Sequence, residues 1–417
     1  MLRVPIAQAL PGMKLAVSLH HPQQPGRVLL KAGYQLDAGA IQRLREIELK
    51  ELWILYPSLA FVGEYINPAV VTLRHEMIAA LDTTFERVAG SEQADIEYEE
   101  FRNTINDLIE QFVEQPRAAL YIDEICAGGK THISHAGNVC ALSLLMGLKL
   151  RGYLVTQRAR LTAKNAMKIV DLGVGAMLHD IGMLKLDPEV LDRWAHSGDE
   201  SDPEWREHAV LGYRMVRERV GPSAASVVLN HHQRYDGTGF PVRDEQGGAP
   251  RGRRGDEIPV FSRIVAAADV YDRLRNPPDG AGSRPAVQAL SMMFKNPWVA
   301  RFDPMILKAL VSIAPPYAPG TIVELSDGRT GVVTSWPAAD PCRPTVQTMD
   351  APTAQFDAEE VESATVDLQE QTDLHIASTE GVDVSAHNFF AKRPDDYDVD
   401  EAQARQWRAG DEYFSAA

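Results

Sequence analysis

The alternation of apolar and polar positions changes period along the chain, and each change predicts a different kind of element. Up to about residue 65, the runs GRVLLKAGYQL and ELWIL read as strands, with the helix-like AGAIQRLREIEL between them. This predicts a small α+β domain over residues 1–65. From 66 to 116 the spacing is helical, and Phe101, Ile105, Leu108, Ile109 and Phe112 form one apolar stripe. That segment is expected to be a helical linker, its stripe packing on a neighbouring helix or admitting a homodimer contact or a signalling protein partner. Residues 117–317 are a run of helices with little strand alternation. Asp202 followed by Pro203 predicts an N-cap with proline at the first helical position, ending near Gly221, and SAASVVLNHH predicts a helix that stops at a glycine-rich turn. From 318 the period returns to two. TIVEL, SDGR and TGVVTSW predict a hairpin with an Asp-Gly turn, and TVQTM a third strand, giving a small β module over 318–350. Residues 351–417 are expected to be an acidic tail, loosely ordered in part. The chain as a whole is therefore expected to be mainly α, with an all-helical central domain between two small units.

Charge changes this picture little once it is located. The formal net charge is −16, and from Asp350 onward there are 17 acidic and 4 basic residues, which account for −13 of it. The body is nearly neutral, so an anionic ligand is admissible there, while no basic stripe points to polymeric nucleic acid. Cys126, Cys140 and Cys342 are few and far apart, which suggests a reducing compartment rather than a disulfide framework. The longest apolar stretch, ALSLLMGLKL, is too short to span a bilayer, and Pro11 and Lys14 interrupt the N-terminal apolar run. A cytoplasmic protein without membrane attachment is expected.

The chemistry is concentrated in the helical region. His135 in THISHAGNV, His179-Asp180 in AMLHDIGM, His208 in WREHAVLGY, His231-His232 in NHHQRYDGTGFP and Asp269 in VAAADVYD lie on or at the ends of apolar helical stretches. Burying such groups is costly without partners, and a shared divalent cation would partner several at once. Imidazoles with carboxylates suit Fe, Mn or Zn better than Ca or Mg. Neighbours on a helix point about 100° apart, so His231 and His232 can reach one cluster only where the helix ends. Gly237 and Gly239 just downstream permit that departure.

These motifs resemble the HD superfamily of metal-dependent phosphohydrolases, in particular its HD-GYP branch. The branch hallmark HHExxDGxGYP is similar to HHQRYDGTGFP here, and its HDIGK element to His-Asp-Ile-Gly-Met; EHAVLGY, SRIVAAADVYD and RFDP fit as well. The likeness covers roughly residues 120–320. It implies a helical catalytic domain that hydrolyses cyclic di-GMP to its linear dinucleotide or to GMP. It also implies that His135, His179, Asp180, His208, His231, His232 and Asp269 ligate two divalent metals, Fe or Mn, with Asp180 bridging and His179 and Asp180 central to catalysis. A third metal is not expected, because Thr131 and His132 stand where an acidic ligand would be needed. The anionic cyclic dinucleotide calls for cations, and Lys185, Arg234, Arg263 and Arg273 are the substrate-binding candidates.

The departures from the family pattern fall around the substrate. Met183 stands in place of the HDIGK lysine, Gln233 in place of the glutamate after the paired histidines, and Phe240 in place of the GYP tyrosine. DVYDRLRNPPDG lacks the Arg-Pro-Tyr stretch that usually follows, with Arg273 or Arg275 as substitutes. A metal-bound receptor or scaffold that does not hydrolyse, or a phosphohydrolase of another nucleotide, therefore stays open beside the phosphodiesterase reading.

Overall fold

The computed structural model describes residues 1–21, 24–47, 49, 51–57, 59–60, 68–89, 98–114, 132–243, 249–277, 283–349 and 363–405. Thr131 and Cys126 lie outside these residues.

The N-terminal unit follows its sequence pattern. Strand β1 (Leu2–Pro5) pairs antiparallel with β4 (Glu51–Ile54), and β2 (Leu19–His21) with β3 (Gln24–Leu30). Helix α1 (Ala38–Glu46) starts where Asp37 Oδ1 accepts the Ala40 amide at 2.7 Å. Its core, Leu2, Val4, Met13, Leu15, Ile41 and Trp53, continues into Val332 and Met349 of the C-terminal module. Arg3 ties the two units together through Glu51 at 2.6 Å and Glu380 at 2.9 Å.

The central bundle is built around α4 (His132–Lys149), whose residues from Ala136 to Gly147 are all buried. Around it pack α2 (Pro68–Ala89), α3 (Tyr98–Glu114), α7 (Val170–Leu178), α11 (Val260–Arg275) and α13 (Pro304–Ile313). Between α4 and α7 lie α5 (Arg151–Gln157) and α6 (Ala163–Ala166). Beyond α7 come α8 (Pro188–Ser197), α9 (Pro203–Val216) and α10 (Pro222–Asn230), and α12 (Ala286–Met293) precedes α13. Asp202 caps α9 by accepting the Glu204 amide at 2.9 Å, with Pro203 at the first helical position. The helix stops at Val216, five residues before the expected end near Gly221.

Two sequence expectations are corrected here. The segment 66–116 is not a separate linker: Phe101, Ile105, Leu108 and Phe112 are buried in the same core as α4 and α7. Ile105 packs so closely on α7 that a Cβ on Gly173 would lie 2.8 Å from its Cδ1. The stripe is thus packed on a neighbouring helix of the same chain, the first of the readings given for it.

The second correction concerns the acidic tail. Strands β5 (Ile322–Leu325), β6 (Thr330–Ser335) and β7 (Thr345–Met349) form the expected meander around Gly328, whose φ of 87° suits the Asp-Gly turn. They are joined by β8 (Ser363–Asp367), β9 (Ile376–Thr379) and β10 (Val382–Asp383) in one sheet of order β10-β9-β5-β6-β7-β8. Val366, Leu368, Ile376 and Val384 supply buried core. The acids between them close turns: Asp367 Oδ1 accepts the Gln369 amide, and Asp383 Oδ1 the Ser385 amide, each at 2.9 Å. A last helix over residues 399–405 docks on the bundle, with Val399 and Ala402 buried and Lys149 Nζ 2.6 Å from Asp400. Composition alone read these local capping acids as a solvated tail.

Candidate metal centre

Five separate elements deliver the seven expected residues to one place. His135 comes from the first turn of α4, and Asp269 from the middle of α11. His179 and Asp180 lie where α7 gives way to the 3-10 turn Ile181–Lys185. His208 lies inside α9, while His231 and His232 follow the last residue of α10. The chain turns away there through Gly237, with φ of 87°, and Asp236 Oδ1 steadies the turn by accepting the Thr238 amide at 2.9 Å. Ring centroids of His231 and His232 are then 4.1 Å apart, so the adjacent pair does reach one cluster.

The donor atoms fall into two groups. Ligand atoms of Asp180, His208, His231 and His232 lie within 4.8 Å of one another, as do those of His135, His179 and Asp269. Asp180 joins the groups. Its Oδ1 is 3.5 Å from His208 Nε2 and 3.4 Å from His231 Nε2, and its Oδ2 is 3.2 Å from His179 Nε2 and 3.9 Å from His135 Nε2.

The imidazoles are oriented from behind. The Nδ1 atoms of His179, His208 and His231 pair with the carbonyls of Ala176, Trp205 and Val228 at 2.7, 2.7 and 2.8 Å. A carbonyl can only accept, so each Nδ1 carries a proton and each Nε2 is the atom turned to the centre. His208 Nε2 and His231 Nε2 face each other at 3.3 Å. His179 Nε2, Asp180 Oδ1, His232 Nε2 and Asp269 Oδ2 are buried without a hydrogen-bond partner. Such atoms are costly to leave unmatched, and cations held by the two donor groups would satisfy all four. The donor set therefore fits a divalent metal, by a test that rests on the protein's own atoms.

Protonation points the same way at His208, His232 and the two carboxylates, and the opposite way at His135. Burial lowers His208 to about 4 and holds His232 well below the usual histidine range, so both are neutral donors. Burial would raise Asp180, but His179 and Arg273 outweigh it and hold the carboxyl well below its usual range. Asp269 is likewise lowered against burial, first by Arg273 and then by His135. Burial also works to lower His135, yet hydrogen bonds with Asp269 and Asp272 raise it to about 9.

Asp272 was not singled out in the sequence. Its Oδ2 lies 2.6 Å from His135 Nδ1, and its Oδ1 accepts from Asn138 Nδ2 at 2.7 Å. Arg74 in turn donates to Asn138 Oδ1. The signal was present as two i,i+3 pairs, His135 with Asn138 and Asp269 with Asp272, each on one face of facing helices. Asp272→Ala is expected to weaken metal binding by about 10–100-fold by freeing the His135 ring. A metal titration matching wild type would contradict that role.

The four substrate candidates separate. Arg234, half-buried, pairs with Glu200 at 2.8 Å and lines a small cleft beside His231 and His232, together with Arg301, which sequence reasoning did not select. Lys185 is exposed at the end of the 3-10 turn. Arg263 does not face the site: its guanidinium is buried on Asp303 at 2.6 Å and Asp256 at 3.1 Å and on the Tyr153 hydroxyl at 3.2 Å, which corrects the substrate expectation. Arg273 is also corrected, because its guanidinium lies on two carboxylates of the cluster, with Nε 2.7 Å from Asp269 Oδ1 and Nη2 3.2 Å from Asp180 Oδ2. Arg275, the other proposed substitute, is buried and donates to the Arg284 carbonyl.

The remaining departures have structural places. Met183 is buried with Val190, Trp194, Trp205 and Phe240, so a lysine there would enter an apolar cluster. Phe240 stacks on His232 with centroids 4.6 Å apart. Gln233 donates to the Pro241 carbonyl at 2.8 Å and accepts the Arg253 amide at 2.7 Å, clamping both sides of the glycine-rich loop. Removing it as Gln233→Ala leaves two backbone groups unmatched and is expected to cost about 1–3 kcal/mol. An unchanged urea midpoint would show that the clamp carries no stability.

Comparison with known proteins now becomes decisive. Residues 141–306 match the HD domain family. The chain therefore carries an HD domain over those residues. The chain is 28% identical over 369 residues to a cyclic di-GMP phosphodiesterase of Pseudomonas aeruginosa, covering 79% of this chain and 81% of that one. A 3'3'-cGAMP-specific phosphodiesterase of Vibrio cholerae is 33% identical over 141 residues, covering 32% of this chain and 27% of the relative. Among solved structures, an HDG"Y"P protein from Bdellovibrio bacteriovorus is similar with a TM-score of 0.45 at 17% identity, covering 75% of this chain and 98% of that one. Among the described residues no single helix of this HD-domain chain is long and apolar enough to cross a membrane.

Proposed function

We propose that this HD-domain protein is a metal-dependent phosphodiesterase that hydrolyses cyclic di-GMP to the linear dinucleotide or to GMP. The observation that carries the reading is the convergence of buried, partnerless donor atoms from His179, Asp180, His232 and Asp269, with the tautomers of His179, His208 and His231 set by backbone carbonyls. The relatives named above as cyclic dinucleotide phosphodiesterases support the substrate class.

His135, His179 and Asp269 would hold one cation, and Asp180, His208, His231 and His232 the other, with Asp180 shared. Mixed imidazole and carboxylate ligation suits Fe(II) or Mn(II). Cations held there would lower the pKa of a water and neutralise charge on a phosphoryl oxygen during in-line displacement. The protein's own part is to present neutral imidazoles at His208 and His232 and ionised carboxylates at Asp180 and Asp269 in fixed orientation, and to shape the adjoining cleft. Arg234 and Arg301 on that cleft, with Lys185 outside it, would receive the phosphates. The buried free thiols of Cys140 and Cys342 fit a reducing cytoplasmic setting.

Chromatography of products from cyclic di-GMP and 3'3'-cGAMP, offered separately and together to the Mn(II)-loaded protein, tests the substrate. Preferential turnover of cyclic di-GMP is expected. Exclusive turnover of 3'3'-cGAMP would assign the protein to the other specificity, and turnover of neither would contradict the enzyme reading.

A further inference from the structure

The two donor groups differ in one respect that the seven ligands do not disclose. Arg273 reaches Asp269 Oδ1 with Nε at 2.7 Å and Asp180 Oδ2 with Nη2 at 3.2 Å. Asp269 Oδ1 is the oxygen that also faces His135 Nε2 at 3.0 Å and His179 Nε2 at 3.8 Å. Asp180 Oδ2 is the oxygen 3.2 Å from His179 Nε2. Both contacts of the guanidinium therefore fall on the group formed with His135 and His179. Asp180 Oδ1, which faces His208 and His231, has no contact with Arg273 among those seen.

The arginine is also held in place from its other face. Its guanidinium carbon lies 5.1 Å from the Trp194 ring centroid and 5.8 Å from that of Trp205, and these two indoles stack on each other at 5.5 Å. Cation–π contact with two packed indoles keeps the guanidinium over the carboxylates. An arginine cannot shed its charge, so an ion entering the His135–His179–Asp269 group must displace it or meet a fixed positive charge at close range. The displaced head has somewhere to go: Glu200 Oε1 is 3.9 Å from Nη1, on the side of the cleft lined by His231 and His232.

We propose that Arg273 is a resident cation of the second metal position, competing for the same two carboxylate oxygens, so that one ion binds firmly at Asp180, His208, His231 and His232 while the second loads only by displacing the guanidinium. The inference rests on the metal-centre reading above and goes beyond it. It makes the two positions unequal and ties full loading to the movement of one side chain. Occupancy of the second position then depends on the prevailing metal concentration.

The test is a titration of metal-free, full-length protein with Mn(II), with free ion counted by electron paramagnetic resonance and the spin-coupled pair signal followed in the same samples. Wild type is expected to take up one ion, with the second at least about tenfold weaker, and the pair signal appearing only with the second. Arg273→Met keeps an apolar stem against the indoles and removes the charge. It is expected to tighten the second ion by about tenfold or more while changing the first by less than about threefold. Should that variant not fold, Arg273→Lys serves, since a compact ammonium does not span both oxygens as the planar fork does; it is expected to tighten the second ion as well. Equal affinities in wild type, or a second ion indifferent to both substitutions, would overturn the competitor role while leaving the metal centre standing. No Mn(II) uptake by wild type at all would overturn both.

Discussion

Asp180→Ala is expected to remove bound metal and hydrolysis together. The side chain is 5% exposed and is the one carboxylate that faces both donor groups, with Oδ1 toward His208 and His231 and Oδ2 toward His179. Its loss takes a ligand from each ion position and leaves Arg273 with Asp269 alone as a close carboxylate partner, Glu200 lying 3.9 Å away. If metal chemistry supplies about 4 kcal/mol or more of transition-state stabilisation, turnover falls by about a thousandfold or more. Metal content and rate should be measured on the same folded preparation. A variant that keeps both ions and its full rate would remove Asp180 from the account. One that keeps metal but loses turnover would make it a catalytic group without a dominant ligand role.

Gly182→Ala is expected to be among the most destabilising single changes in the domain. A Cβ at that position would lie 1.9 Å from the His208 carbonyl oxygen and 2.5 Å from the Gly212 amide nitrogen. Both are backbone atoms of α9, so no rotamer relieves the clash and the turn carrying Asp180 must separate from the helix carrying His208. Overpacking of this kind costs about 3 kcal/mol or more. Thermal unfolding followed by circular dichroism should show a Tm lower by several degrees, with metal affinity reduced because the two ligands move apart. A Tm within a degree of wild type would mean that the close approach is not needed for stability. The same contact explains, in physical terms, why glycine follows His-Asp-Ile in this motif.

The seven residues that converge at this place could be picked from the sequence because each is a costly polar group set in an apolar helical stretch. Their division into two groups sharing Asp180 could not, since it depends on how helices far apart in sequence cross. Asp272 and Asn138 were hidden for a related reason: a helical residue three positions from a ligand is evident only once the facing helix is known. The stripe from Phe101 to Phe112 was legible as a stripe, but the sequence does not say that Gly173 opens a seat for Ile105. Arg263 and Arg273 were chosen as cations available to phosphate, yet burial had already committed them, one to Asp303 and the other to the ligand carboxylates. The region after Asp350 failed by composition. Acids that cap turns count toward charge as solvated acids do, and they masked the buried Val366, Ile376 and Val384 of an ordered sheet.

The central claim is that this cluster is a metal centre that performs hydrolysis. The most direct measurement strips the protein of metal, reconstitutes it anaerobically with Fe(II) or Mn(II), and resolves the products of cyclic di-GMP by chromatography with metal content determined in parallel. The expected result is no product from the stripped protein and linear dinucleotide or GMP from the reconstituted one, rising with bound metal. Full metal loading with cyclic di-GMP left intact would contradict the claim and turn the protein into a metal-bound receptor.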